Sequence, residues 1–438
     1  MELVMMVLLT LSGFNLLKTK AASESDEIVA MDLLTVKEPN SEAESRLRVI
    51  RLKTRSGAKG YGDYLALDPS GGNEEAILAR LVNRYAEQNH KKDIFLTDPS
   101  IRALGAGHPV IGQTASDVIH AKTDEWPGRA LYHREGFGPM WQGRGKSALV
   151  IALQTALLDL AEEKGPSKVR LCPSIPIGQM QDGEQHLRTP EEIHHAVALL
   201  KQAGFTAVRL ELAGSLDIEM KSRGECPPYR YPQELLGQID QLVLASKNAA
   251  GPDMDVTVAA NLNLSTDGMT YLALHCQRNK VTLLENPMAI RHLLEQGEAR
   301  KEFSQPLGFG GDYHSLEDFA QGIKHEVGTV LVPDAGYIGG VTMLTHLALQ
   351  AREVELEMAP VVQGGPFSLL AVARGLYGND KVLWLSSPYQ DEWIKEDGLL
   401  KVPLRMEQGE LVMESCEFDE TKFHVKAIIE SQIKPQEK

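Results

Sequence analysis

Cysteine is scarce in this sequence: Cys172, Cys226, Cys276 and Cys416 are the four in 438 residues, with no CxxC pair and no histidine at zinc-ligand spacing. That excludes a disulfide framework and a Cys/His zinc centre, and leaves reduced or inert core thiols. Cationic side chains are in deficit too. The 45 Lys and Arg face 60 Asp and Glu, and a net charge of −15 spread along the chain argues against wrapping nucleic acid. An anionic ligand would need a locally positive site. The apolar run LVMMVLLTLSGFNLL, residues 3–17, falls short of the about 20 residues of a membrane span. It has the length of an export-signal core, yet Glu2 stands where a basic residue is expected, Lys18 and Lys20 follow the run, and the cleavage signal near Ala21-Ala22-Ser23 is weak. Two readings stand, an export signal and an extended start of a cytoplasmic chain. Either way, residues 1–26 are set aside from the fold as a signal or unstructured leader.

What remains is long enough for a small domain joined to a barrel of roughly 250 residues. A content of 43% hydrophobic and 24% charged residues is the balance of a soluble globular protein. From Ile28 the runs IVAMDLLTV, LRVIRLKT and YGDYLAL alternate as a three-stranded meander. EEAILARLVNRYAEQ and KSALVIALQTALLDLAEEKG then place apolar residues at i, i+3, i+4 and i+7, and the second stops at Gly165-Pro166. After Pro166 the rhythm becomes strand, turn, helix. The strands are KVRLCPSIPI, TAVRLEL, DVTVAAN, KVTLLEN, PLGFGG, GTVLVPD and VELEMAP, and repeating units of this kind favour a closed parallel barrel over an open sheet. The expectation is an α/β fold: an N-terminal α+β domain over 27–165, a barrel of (β/α)7β type over 166–380, and a segment 381–438 that packs back on the first domain. The glycine-rich EGFGPMWQGRGKS, 135–147, lacks P-loop spacing and a preceding strand, and reads as a turn before the long helix. His194 and His195 sit on a helix beside Glu191 and Glu192 and read as solvated.

In a parallel barrel the loops at the carboxyl ends of the strands converge on one mouth, and reactive side chains gather there. These strand ends carry Arg209 with Glu211, then Asn261, Glu285, Asp312, Asp334 and Val361. Because successive strand residues face opposite ways, Arg209 shares a face with Glu211, and Ala259 with Asn261.

The order of AGPDMDVTVAAN, LLENP, PLGFGGDY, VLVPDAGYIGGVT and APVVQGGPFSLLAVA resembles the enolase superfamily, in its mandelate racemase and muconate lactonizing branch. YGDY is similar to that branch's GWGE, ALLDLAEEK to its ALWDLAGK, and EDGLLKVP to its C-terminal DG-x-x-x-VP, so the likeness covers about residues 27–410. The resemblance implies a TIM-type barrel with an N-terminal α+β capping domain completed by the C-terminal segment. It also implies a homo-oligomer, a small-molecule carboxylate as substrate, and Mg²⁺ held by carboxylates at the ends of strands three, four and five. There the ion binds the substrate carboxylate and stabilises the enediolate left when the α-proton departs.

Carried over by position, Glu285 and Asp312 are two of the ligands, but the Asp of the family's VDAN is Ala259 here. Asn261 offers an amide oxygen from the same face, without the charge. The family's KxK bases read Arg209-Leu210-Glu211, and a guanidinium, effectively never deprotonated in proteins, suits a carboxylate clamp instead. Asp334 is kept, while the His it would orient is Val361. The resemblance thus implies Arg209, Glu211, Asp334, Tyr337 and His314 as the groups left for catalysis. Arg209, Asn263 and Tyr229, the last in the insert GECPPYRYP, are the implied substrate contacts.

Each has a structural alternative. Glu285 and Asp312 would pair with Arg209 or cap a helix, Arg209 and Glu211 would neutralise each other, Asp334 would serve only its turn, and His314 would open a helix. Two functions stay open: a divergent lyase or isomerase acting on a carboxylate such as a sugar acid, and a family scaffold that binds or regulates without catalysis. Fold alone does not choose between them.

Overall fold

The structure is a computed structural model that describes residues 28–37, 47–65, 144–160, 167–181, 184–212, 232–260, 264–338, 340–387, 398–401, 404–407, 409–413 and 417–430. Ile28–Val36 (β1), Leu47–Thr54 (β2) and Lys59–Leu65 (β3) form the expected meander, antiparallel throughout. Met31, Leu33, Val49 and Leu52 are buried in it. Asp32 stands opposite Arg51 across β1 and β2, and the guanidinium donates to its carboxylate at 2.6 and 2.8 Å, so the buried pair is hydrogen-bonded. The helix Arg144–Leu160 (α1) lies against β3. Two glycines permit that approach: a Cβ on Gly62 would stand 1.8 Å from the Ala152 carbonyl oxygen, and one on Gly60 2.3 Å from that of Ala156. The helix expected over EEAILARLVNRYAEQ and residues 135–143 of the glycine-rich stretch lie outside the described residues, while Arg144–Ser147 open α1.

Ser167–Pro176 (β4) begins the barrel and leads into a hairpin, Gly178–Gln181 (β5) and Glu184–Leu187 (β6). Helices and parallel strands then alternate: Pro190–Gln202 (α2), Ala207–Glu211 (β7), Gln233–Ala250 (α3), Asp255–Ala259 (β8), Thr266–Arg278 (α4), Leu283–Glu285 (β9), Leu293–Ala299 (α5), Leu307–Phe309 (β10), Leu316–Lys324 (α6), Val330–Leu331 (β11), Val341–Glu353 (α7), Glu357–Met358 (β12), Pro366–Gly375 (α8) and Leu385–Ser387 (β13). Local chemistry sets the starts of α2 and α6, where Thr189 with Glu192, and Ser315 with Asp318, form reciprocal capping boxes. His194 and His195 are exposed on α2, as expected.

Parallel pairing runs from β4 through β7, β8, β9, β10 and β11 to β12 without a break. Bridges between Met358 and Val382, and between Val361 and Ser386, carry it to β13, which pairs with β4 and closes a ring of eight strands. The interior is filled rather than open: Cys172, Ala207, Leu283, Val332, Ala359 and Trp384 pack as one buried cluster. Cys172 and Cys276 are buried free thiols, and Cys226 and Cys416 lie outside the described residues.

Arg405–Glu407 (β14) and Glu410–Met413 (β15) form a hairpin whose second strand lies antiparallel to the first half of β4. Phe423–Glu430 (β16) then pairs antiparallel with β1, completing a four-stranded sheet in the order β16-β1-β2-β3. A side chain fastens that sheet to the barrel. Asp63 of β3, wholly buried, accepts the backbone N–H groups of Gly365, Phe367 and Ser368 at 3.0, 2.8 and 3.0 Å, satisfying the first turn of α8 from a neighbouring layer. Among the described residues no helix is long and apolar enough to cross a membrane.

Candidate functional site

Strand register gathers the polar residues at the carboxyl end of the ring. Ser174, Arg209 and Thr257 are direct neighbours on β4, β7 and β8, and two residues further on Glu211, Ala259 and Glu285 form the next row on β7, β8 and β9. Arg209 is the hub. Its Nε donates to Glu285 Oε2 at 2.7 Å, its Nη1 donates to Ser174 Oγ at 3.2 Å, and the same nitrogen contacts the Glu211 carboxylate. Thr257 Oγ1 donates to the other oxygen of Glu285 at 2.6 Å, so both oxygens of that carboxylate accept a hydrogen bond. Burial alone would lower the Arg209 guanidinium, but the charges of Glu285 and Glu211 outweigh it and hold the group above its usual range. It is a permanent cation. Its partners are unequal: the Glu285 side chain is 0% exposed and that of Glu211 29%.

Ala259 lies in register between Glu211 and Glu285 and is fully buried. The missing carboxylate is therefore missing from the middle of the row.

Asp312 occupies the same rim on the turn after β10. Its Oδ2 accepts the Ile290 N–H at 2.9 Å, and its Oδ1 is buried with no hydrogen-bond partner among the described residues. Burial pushes its carboxyl up to about 6, against the pull of the Ile290 N–H. The turn is pinned to the end of β9, because Gly311 N–H donates to Asn286 Oδ1 at 2.9 Å. Asn286 takes a positive φ of 47°, a conformation asparagine tolerates better than most residues. Among the described residues, no hydrogen bond or ion pair joins Asp312 to Arg209.

The remaining candidates sit apart from the hub. Asp334 Oδ1 accepts the N–H groups of Gly336 and Tyr337 at 2.9 and 3.1 Å, holding the turn after β11. Its backbone bridges to Val361, so the register puts a buried valine where a histidine would meet this aspartate. His314 and Tyr337 meet edge to face with ring centroids 5.2 Å apart. Burial lowers the His314 imidazole, Asp318 and the Tyr337 backbone opposing, and the His314 backbone N–H donates to the Asp318 carboxylate at 2.8 Å at the entry to α6. Asn261, Asn263 and Tyr229 lie outside the described residues.

Two contributors escaped the sequence reading, Ser174 and Thr257. The period of two points to Thr257, which lies two residues before Ala259 and so on the same face of β8.

A hard divalent cation asks for several oxygen lone pairs converging on one point. Among the described residues this mouth supplies instead a carboxylate already bonded to a guanidinium and a hydroxyl, an alanine beside it, and the one unpartnered oxygen of Asp312. Among the described residues no group of three or more His, Cys, Asp or Glu is placed to hold a metal ion. These donors do not fit one.

Comparison with known proteins agrees with the geometry of the fold. The model of the family described as "Enolase C-terminal domain-like" matches residues 191–415. The mandelate racemase/muconate lactonizing enzyme-like protein from Rubrobacter xylanophilus DSM 9941 is similar over 91% of this chain and 96% of its own, at 16% identity and a TM-score of 0.66. The mandelate racemase/muconate lactonizing enzyme from a Sulfitobacter species is similar over 91% and 94%, at 15% identity and 0.65. The corresponding protein from Paracoccus denitrificans Pd1222 is similar over 92% and 99%, at 17% identity and 0.65. No curated protein matches the chain.

Proposed function

The chain belongs to the Enolase C-terminal domain-like family, and on that premise we propose that it is a divergent lyase or isomerase acting on a small carboxylate. It is a distant member of the mandelate racemase/muconate lactonizing branch of the enolase superfamily. That membership supports a lyase- or isomerase-like class in general. The observation carrying the finer reading is the unequal pairing of Arg209, with one partner buried and bonded twice and the other reaching solvent.

A substrate carboxylate entering the mouth exchanges with Glu211 on the guanidinium while Glu285 stays in place. Arg209 is then paired at every stage, which a buried charge requires. The displaced Glu211 is left beside the bound acid as a carboxylate base. The α-proton passes to Glu211, the C–H electron pair moves into the substrate carboxylate, and the fixed guanidinium faces the enediolate charge. Return of a proton to the opposite face of the carbon gives isomerisation. Expulsion of a β-hydroxide, protonated as it leaves by the Asp312 carboxyl, gives dehydration. The buried Asp312 Oδ1 offers a hydrogen-bond partner to a substrate hydroxyl, which favours a hydroxylated acid of the sugar-acid class. No step runs through a metal.

The test is incubation of the purified chain with a panel of sugar acids in D₂O, following deuterium at the α-carbon by NMR. Glu211→Gln is expected to lower exchange by about 10²–10⁴-fold while leaving acid binding intact, since it removes the competitor for Arg209. Exchange that persists in that variant refutes the assignment. A second reading, binding without turnover, is favoured by Val361 beside Asp334 and by the commitment of Asp334 Oδ1 to a turn. It predicts acids that bind and never gain deuterium.

A further inference from the structure

We infer that the Arg209 guanidinium, rather than a divalent cation, is the resident positive charge of the barrel mouth. This holds whether the mouth catalyses or only binds. Three features place the charge on the side chain. First, the guanidinium sits inside the wall, 3% exposed, with carboxylates on two sides and a serine hydroxyl at 3.2 Å. Second, both oxygens of Glu285 are already bonded to protein donors: Oε2 accepts from Arg209 at 2.7 Å and Oε1 from Thr257 at 2.6 Å. One of these donors is itself a cation, and it already draws on the negative charge that an ion would need. Third, the position between Glu211 and Glu285 is a buried alanine, so that place in the row supplies no negative charge for a second cation.

The electrostatics follow. An ion bound to Glu285 would stand beside the Arg209 guanidinium, two cations side by side in a low-dielectric wall. One guanidinium against two carboxylates leaves the cluster one charge negative, close to neutral without any ion. The substitutions are therefore a matched set. An alanine in the row lowers the demand for positive charge, an arginine on the neighbouring strand meets what remains, Ser174 accepts from that arginine, and Thr257 donates to Glu285.

The experiment uses the full chain, no substrate, and two readouts. Mn²⁺ is titrated into the wild type and the loss of its free EPR signal recorded, and the thermal midpoint is measured with and without millimolar Mg²⁺. The wild type is expected to show no saturable Mn²⁺ site in the mouth and no Mg²⁺-dependent midpoint. The double variant Arg209→Met/Ala259→Asp removes the guanidinium and restores a third carboxylate. It is expected to gain one Mn²⁺ per chain and to be raised by several degrees by Mg²⁺, or to fold only in its presence. The inference is overturned by one Mn²⁺ equivalent in the wild type that Asp312→Asn abolishes. It is equally overturned by a wild-type midpoint that Mg²⁺ raises and Asp312→Asn renders insensitive. Should the double variant not fold at all, these wild-type measurements decide alone. Because they need no turnover, a negative deuterium-exchange result leaves them unaffected.

Discussion

Replacing Asp312 by asparagine should flatten the dependence of stability on pH, by an amount set by the site. In the folded protein burial holds this carboxyl near a pKa of about 6, against an ordinary 3.8. Below the ordinary value the group is protonated in both states, and its contribution to stability is fully present. As pH rises from about 4 to 6 the unfolded chain ionises first while the folded site keeps its proton, and stability falls by about 1.4 kcal/mol per unit. Above 6 both states are charged and the contribution is gone. A shift of roughly two units therefore removes at most ~3 kcal/mol between pH 4 and pH 7. The Asp312→Asn protein keeps an oxygen for the Ile290 N–H and has nothing to ionise, so its disadvantage from the altered second atom is the same at every pH. Urea unfolding of both proteins by circular dichroism at pH 4, 5, 6 and 7 measures the difference. The variant should gain on the wild type steadily from 4 to 6 and then hold level. A difference that does not change with pH would refute the reasoning.

Two other substitutions probe the contacts that fasten the layers together. Asp63→Asn leaves a single oxygen to accept N–H groups at the start of α8, and should cost about 1–3 kcal/mol, read as a lowered thermal midpoint. Gly62→Ala drives a methyl to within 1.8 Å of the Ala152 carbonyl oxygen, where helix backbone cannot give way cheaply. It should destabilise by about 1–3 kcal/mol or more, and a midpoint equal to the wild type would show that α1 and β3 pack more loosely than described.

Much of the fold could be read from the sequence because its signals are local. The alternation of β1 to β3, the apolar strand cores, and the Thr189 and Ser315 capping boxes are written within a few residues of one another. The closing strand Leu385–Ser387 was harder, since LSS neither alternates nor runs apolar, and its place is fixed by pairing with β4 and bridging to Val361. The site divided in the same way. Ala259 and Val361 could be identified as losses only through the resemblance to the family's strand-end motifs, and Arg209 with Glu211 and Glu285 as neighbours from the order of the strand ends. That both oxygens of Glu285 accept hydrogen bonds could not, because it depends on Thr257 and Arg209 converging from adjacent strands. Asp63 likewise gave no sign that it would cap a helix some three hundred residues further on.

The pairing of β1 with β16 also orders events during synthesis. Val36 waits for Phe423 and Ala30 for Glu430, so the strand translated first among those described is joined on one side by the strand translated last. At ribosomal speed that interval is roughly 20–80 s, during which the meander exposes an unbonded edge while the ring of eight has time to assemble beside it. The small sheet is thus a seam sewn after the large one. Any slowing of translation past residue 400 lengthens the time in which that open edge is available to other nascent chains.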